Sequence, residues 1–265
     1  MKHSEYPIGL FDSGIGGTSI WKEIHFLMPN ESTIYLSDSK NAPYGNKDKE
    51  QIIEFAIKNT EYLLSKNCKI IIVACNTATT NAIDVLRNRY KIPFIGIEPA
   101  IKPAALRTRT NAVGILATKG TLNSKLFEKT SSSLSTELAI IEQVGEGLVN
   151  LIEKGNINSK DMEILLRRYL KPMIKANVDH IVLGCTHYPY LKNQIQDIVG
   201  PSVIIIDSGN AVALQTKNIL ESKNLINKQK EIKPFHNFFV NKKASVLKKI
   251  LENYKSEIEI KEVYF

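Results

Sequence analysis

Short runs of uninterrupted apolar residues recur along the chain, each followed by a longer stretch with apolar positions at helical spacing. This alternation restricts the fold more than any other feature. The runs cover residues 8–11, 33–36, 70–74, 94–97, 112–116, 180–184 and 203–206. An apolar run without polar alternation reads as a strand covered on both faces, the condition of a parallel sheet whose crossover helices lie on either side. After 33–36, Ile52, Ile53, Ala56, Ile57, Thr60, Leu63 and Leu64 fall on one side of a helix starting near Asp48. Strand followed by helix, repeated this often, predicts an α/β fold with parallel sheets. At 265 residues, with 43% hydrophobic and 23% charged residues, the chain can bury a full core, and the composition excludes a disordered or collagen-like polypeptide.

The chain echoes itself. Phe11-Asp12-Ser13-Gly14 resembles Ile206-Asp207-Ser208-Gly209, and Ala74-Cys75-Asn76-Thr77 resembles Gly184-Cys185-Thr186-His187. In each, a buried strand runs into a polar turn, which points to two similar α/β units with a cleft between their strand ends, where open parallel sheets bind ligands. The net charge of +8 invites a nucleic-acid reading. From Lys217 to Phe265, however, 11 Lys oppose 6 Glu, so 11 − 6 = +5 of the total lies in a tail read as strand 235–240, helix 242–253 and strand 257–264. Lys248 and Lys249 fall on a helix surface without interleaved aromatic residues, so no nucleic-acid partner is expected. Residues 1–7 hold no apolar leader, and no segment approaches the roughly 18 apolar residues that span a bilayer. A cytoplasmic protein with no membrane contact is expected. Three cysteines without close pairing fit a reducing compartment.

Three segments carry chemistry. Phe11-Asp12-Ser13-Gly14-Ile15-Gly16-Gly17 joins a strand to a helix through a glycine-rich turn suited to a small anion; it lacks the third glycine of a dinucleotide fingerprint and the Lys-Ser/Thr of a P-loop. Cys75 and Cys185 each stand where a buried strand meets a polar turn, whereas Cys68, in a helix-to-strand turn, reads as a buried filler. A thiol of ordinary pKa about 8.5 needs a helix N-terminus, a cation or an acceptor nearby to work as a base. His187 follows Cys185 by two residues, and Asp12 is available to Cys75. Two thiols on opposing walls of one cleft, each with a proton-handling neighbour, suit removal of a proton from one face of a carbon and delivery to the other. The same side chains, Cys75, Cys185, His187 and Asp12, also admit a metal-site reading.

Taken together, Phe11-Asp12-Ser13-Gly14-x-Gly16-Gly17, Pro43-Tyr44-Gly45, Ala74-Cys75-Asn76-Thr77-Ala78, Gly96-Ile97-Glu98-Pro99-Ala100, Leu116-Ala117-Thr118-x-Gly120-Thr121 and Gly184-Cys185-Thr186-His187-Tyr188-Pro189 resemble the glutamate racemases in identity and order. The resemblance implies two flavodoxin-like α/β units, 1–98 with 207–265 and 99–206, with the active site between them, and a homodimer. It implies a cofactor-independent enzyme that supplies D-glutamate for peptidoglycan, with Cys75 and Cys185 alternating as base and acid, assisted by Asp12 and His187. Ser13, Pro43, Tyr44, Gly45, Asn76, Thr77, Thr118, Thr121 and Thr186 would surround the small-molecule substrate. The family's functional glutamate maps to Glu153, with Glu146 as the alternative, because Gly145, Glu146 and Gly147 depart from the family pattern ahead of Leu148. A related racemase acting on aspartate is the neighbouring reading.

Overall fold

The computed structural model describes residues 3–134, 137–229 and 233–265. Ten strands are present among them: β1 (Ile8–Asp12), β2 (Thr33–Ser37), β3 (Ile70–Val73), β4 (Phe94–Gly96), β5 (Ala112–Ala117), β6 (Ala139–Val144), β7 (His180–Gly184), β8 (Ile204–Ile206), β9 (His236–Val240) and β10 (Ile258–Glu262). They form two sheets, β10-β9-β2-β1-β3-β4 and β6-β5-β7-β8, in which every neighbouring pair is parallel.

Both faces are covered at β1, β2 and β3 of the first sheet, which explains why these strands show no polar alternation, whereas the edge strand β10 alternates apolar and charged residues. Ile8 and Leu10 of β1, with Ile70 and Ile72 of β3, pack toward Ile20, Trp21 and Ile24 of the helix Thr18–Leu27. The intervening Phe11, Ile71 and Val73 pack toward Ile52, Ala56 and Leu63 of the helix Lys49–Ser65 and Ala78 and Ala82 of Asn76–Arg89. The expected helix start is found, with the Asp48 side chain accepting from Gln51 N–H at 2.8 Å.

The sheets share one winding. The first contains the order β2-β1-β3-β4 and the second β6-β5-β7-β8, in each case the second strand of the unit, then first, third and fourth. This places the topological switch between β1 and β3 in one sheet and between β5 and β7 in the other, where doubly wound folds bind ligands. The Cys75 and Cys185 echo reflects this likeness, since both follow third strands. The Asp-Ser-Gly echo does not: Asp12 ends a first strand and Asp207 follows a fourth. What those two share is a local turn, in which the aspartate side chain accepts from the glycine two residues on, at 2.7 Å for Gly14 and 2.9 Å for Gly209.

Strand β6 was not expected from the sequence. It pairs only with β5 and has no fully buried position, so Glu142 and Gln143 interrupt its apolar pattern. The lysine-rich tail supplies β9 and β10 to the first sheet, with Lys242, Lys243, Lys248 and Lys249 facing solvent. Its expected long helix is shorter, Ser245–Ile250 followed by a single turn at Glu252–Tyr254. No helix among the described residues is long and apolar enough to cross a membrane.

Candidate active site

The carboxyl ends of the two sheets face each other, and hydrogen bonds cross between them. Thr186 Oγ1, beyond β7, donates to Asp12 Oδ2 at the end of β1 at 2.8 Å. Thr77 Oγ1 lies 2.8 Å from Thr118 Oγ1 and 3.3 Å from Thr121 Oγ1, while Thr118 and Thr121 lie 3.0 Å apart. Three hydroxyls thus meet where the turns after β3 and β5 touch. Pro43 and Gly45 line a cavity of about 140 Å³ with Thr118, Gly145 and Val149. The Tyr44 ring is buried behind them, and its hydroxyl donates to Asp38 Oδ2.

Cys75 caps the helix Asn76–Arg89: its sulfur accepts from Ala78 N–H at 3.4 Å, and its thiol reaches Ser13 Oγ at 3.6 Å. Burial pushes this thiol well above its ordinary pKa, and the nearby Asp12 charge pushes further; a charge on Cys185 acts in the same direction. The two sulfurs are therefore near enough for the charge on one to act on the other. Asn76 is only 2% exposed, yet neither its amide nitrogen nor its amide oxygen has a hydrogen-bond partner. A buried amide left open in this way, at the amino end of a helix, is available to a polar ligand.

On the opposite wall, Cys185 Sγ faces His187 Nδ1 at 3.8 Å, and His187 Nε2 lies 2.7 Å from Glu153 Oε1. Glu153 Oε1 also accepts from Ile15 N–H at 2.7 Å, and Oε2 accepts from Ser39 Oγ at 2.9 Å. Burial alone would favour neutral forms of both groups. For His187 it is outweighed by Cys185 and Glu153, with Asp12 adding to them, and the imidazole is held well above its ordinary pKa. For Glu153, His187 together with the Ile15 and Ser39 donors outweighs burial and holds the carboxyl below its ordinary range. Both shifts favour the ion pair, in which His187 would place one N–H on the Glu153 carboxylate and the other toward the Cys185 sulfur. Asp12 differs: burial raises it to about 6 despite the opposing effects of His187, Thr186 and Gly14.

Two N–H groups of the glycine-rich turn are engaged by carboxylates of the protein itself. The Ile15 N–H is taken by the Glu153 carboxylate and the Gly14 N–H by Asp12. Its glycines are needed because a Cβ on Gly14 would overlap Glu153 Oε1, and one on Gly16 would overlap His187 Nδ1. Of the two glutamates considered, Glu153 reaches His187, whereas Glu146 is exposed. Among the described residues, Asp12, Cys75, Cys185 and His187 form no group of three or more placed to hold a metal ion. Cys68 packs under Gly9, and burial raises its pKa to about 12.

Ser39 and the Ile15 N–H were not anticipated as parts of the site. Ser39 lies two residues past the end of β2, so its position beyond the carboxyl end of a buried strand was the available signal.

Residues 18–216 match the family of Asp/Glu/hydantoin racemases. A glutamate racemase from Herpetosiphon aurantiacus is 43% identical over 225 residues, covering 85% of this chain and 89% of that protein. A glutamate racemase isoform from Bacillus anthracis superposes with a TM-score of 0.88 at 30% identity, covering 99% of each chain. The glutamate racemase of Francisella tularensis, whose crystal structure is a complex with D-glutamate, superposes with a TM-score of 0.84 at 30% identity over 98% of each chain.

Proposed function

Because the chain belongs to the Asp/Glu/hydantoin racemase family and is an amino-acid racemase of the glutamate racemase type, we propose that it interconverts L- and D-glutamate through Cys75 and Cys185, acting on opposite faces of the α-carbon. The observation that carries this reading is the pair of buried free thiols after equivalent strands of facing sheets, each with its own charged neighbour.

The two thiols rest in unequal surroundings. Burial and Asp12 keep Cys75 protonated, while Cys185 stands against an imidazolium. In the proposed reaction one sulfur begins as thiolate and the other as thiol. The thiolate takes the α-proton, the thiol delivers its own to the far face, and the two roles are exchanged at the end of the turnover. The negative charge that develops on the substrate carboxylate needs donors set in advance. The open Asn76 amide and the amino end of its helix supply them in this reading. Asp12, once ionised, pairs with the substrate ammonium, and Thr77, Thr118 and Thr121 hold the side-chain carboxylate.

The scheme requires no cofactor. It extends to a homodimeric cytoplasmic enzyme that supplies D-glutamate for peptidoglycan. A reducing compartment belongs to the reading, since a disulfide joining the two thiols would leave neither base.

The direct test is incubation with L-glutamate, and separately with L-aspartate, without added cofactor, followed by circular dichroism. Loss of optical activity is expected with glutamate. Turnover of aspartate alone, or of neither amino acid, would overturn the assignment.

A further inference from the structure

We infer that Ser39 is a positioning residue for the Cys185 half-site, holding the second oxygen of Glu153 so that the first stays on His187. This rests on the racemase reading above and adds to it a side chain that touches neither thiol.

Glu153 has two oxygens and three donors, supplied by different parts of the fold. His187 Nε2 and Ile15 N–H converge on Oε1, and Ser39 Oγ alone takes Oε2. Glu153 lies on the helix Leu148–Glu153, between β6 and β7 in sequence, whereas Ile15 and Ser39 follow β1 and β2. Ser39 itself is buried and is steadied by the Ser37 hydroxyl at 3.0 Å. A carboxylate fixed at one oxygen only can rotate about its terminal torsion, which is broad and soft. Fixed at both, it presents Oε1 to the imidazole in one orientation, and it does so across the junction between the sheets. The charged groups facing the Glu153–His187 pair are Asp12 and Cys185, and Tyr35 also feels the Glu153 charge. Without the Ser39 donor, Glu153 loses one of the contacts that keep it ionised, and His187 loses part of the partner that keeps it protonated. The Nδ1–H directed at Cys185 then disappears at lower pH.

The test compares wild type, Ser39→Ala and Ser39→Thr as full-length proteins, using nitrogen-15 NMR titration of His187 and kcat/KM for glutamate against pH. In Ser39→Ala the imidazolium is expected to lose its proton at lower pH than in wild type. Its kcat/KM should fall about 10- to 100-fold, the effect of losing one hydrogen bond to a charged group, with the alkaline limb of the profile displaced in the same direction. Ser39→Thr keeps the hydroxyl and should restore both. An unchanged His187 titration in Ser39→Ala, or a Thr variant that behaves as Ala does, overturns the assignment. Wild-type protein that titrates as described but does not racemise glutamate instead overturns the functional reading, and the NMR comparison still decides the role of Ser39.

Discussion

Asp12 ends a strand in the interior of the protein, where a carboxylate is costly, and its environment raises its pKa from 3.8 to about 6. Because the folded value lies above the unfolded one, the folded protein holds an extra proton between about pH 4 and 6, and stability falls as pH rises through that window. Asp12→Asn removes the ionisation. It should therefore stabilise the substrate-free protein at neutral pH by up to about 3 kcal/mol while abolishing racemisation, with urea denaturation showing roughly half of the gain at pH 5 and nearly all of it at pH 7.5. The same ionisation should give kcat/KM an acid limb near pH 6. At this scale much was legible: Asp12, Cys75, Cys185 and His187 all adjoin strand ends in compact motifs, and the structure gathers them. Glu153 was placed by resemblance, because its neighbourhood carries no local signal. Ser39 was legible only as a residue beyond the carboxyl end of a buried strand, since its role depends on a carboxylate 114 residues away.

Among the elements, the glycine-rich turn after β1 governs the site through the space it leaves. Gly16→Ala would drive a methyl group into His187 Nδ1 and displace the imidazole from Cys185. We expect a loss in kcat of about 10²-fold or more, with a smaller change in KM, measured by steady-state kinetics in both directions. The reading of the tail supplied β9 and β10, and the apolar runs identified seven of the ten strands, because a strand covered on both faces needs apolar residues at every position. They missed β6, whose edge position allows polar residues, and they misread the Asp-Ser-Gly echo, because a short turn motif records local hydrogen bonding and not position in a sheet.

At the scale of the molecule, function and stability are separated along the strands. The carboxyl ends hold the site, while the amino ends of the first sheet hold a buried ion pair. Lys69 Nζ there meets Glu31 Oε2 and the Ser4 carbonyl, and Glu31 Oε1 accepts from Asn227 N–H. Lys69→Met strands the Glu31 charge and should cost about 3–5 kcal/mol in urea denaturation, with the kcat of the folded fraction unchanged. The facing of the two sheets, on which the mechanism depends, was foreshadowed by the cysteine echo, but its contacts were not, since Thr186 to Asp12 and Thr77 to Thr118 join residues distant in sequence. The central claim is that two thiols serve opposite faces of one carbon, and the most direct measurement is racemisation of L-glutamate in deuterium oxide. The account predicts that the first D-glutamate formed carries deuterium at the α-carbon while unreacted L-glutamate retains protium, and that Cys75→Ser and Cys185→Ser each lose nearly all turnover. D-glutamate that keeps the substrate's own proton, or near-normal racemisation in both serine variants, would contradict it.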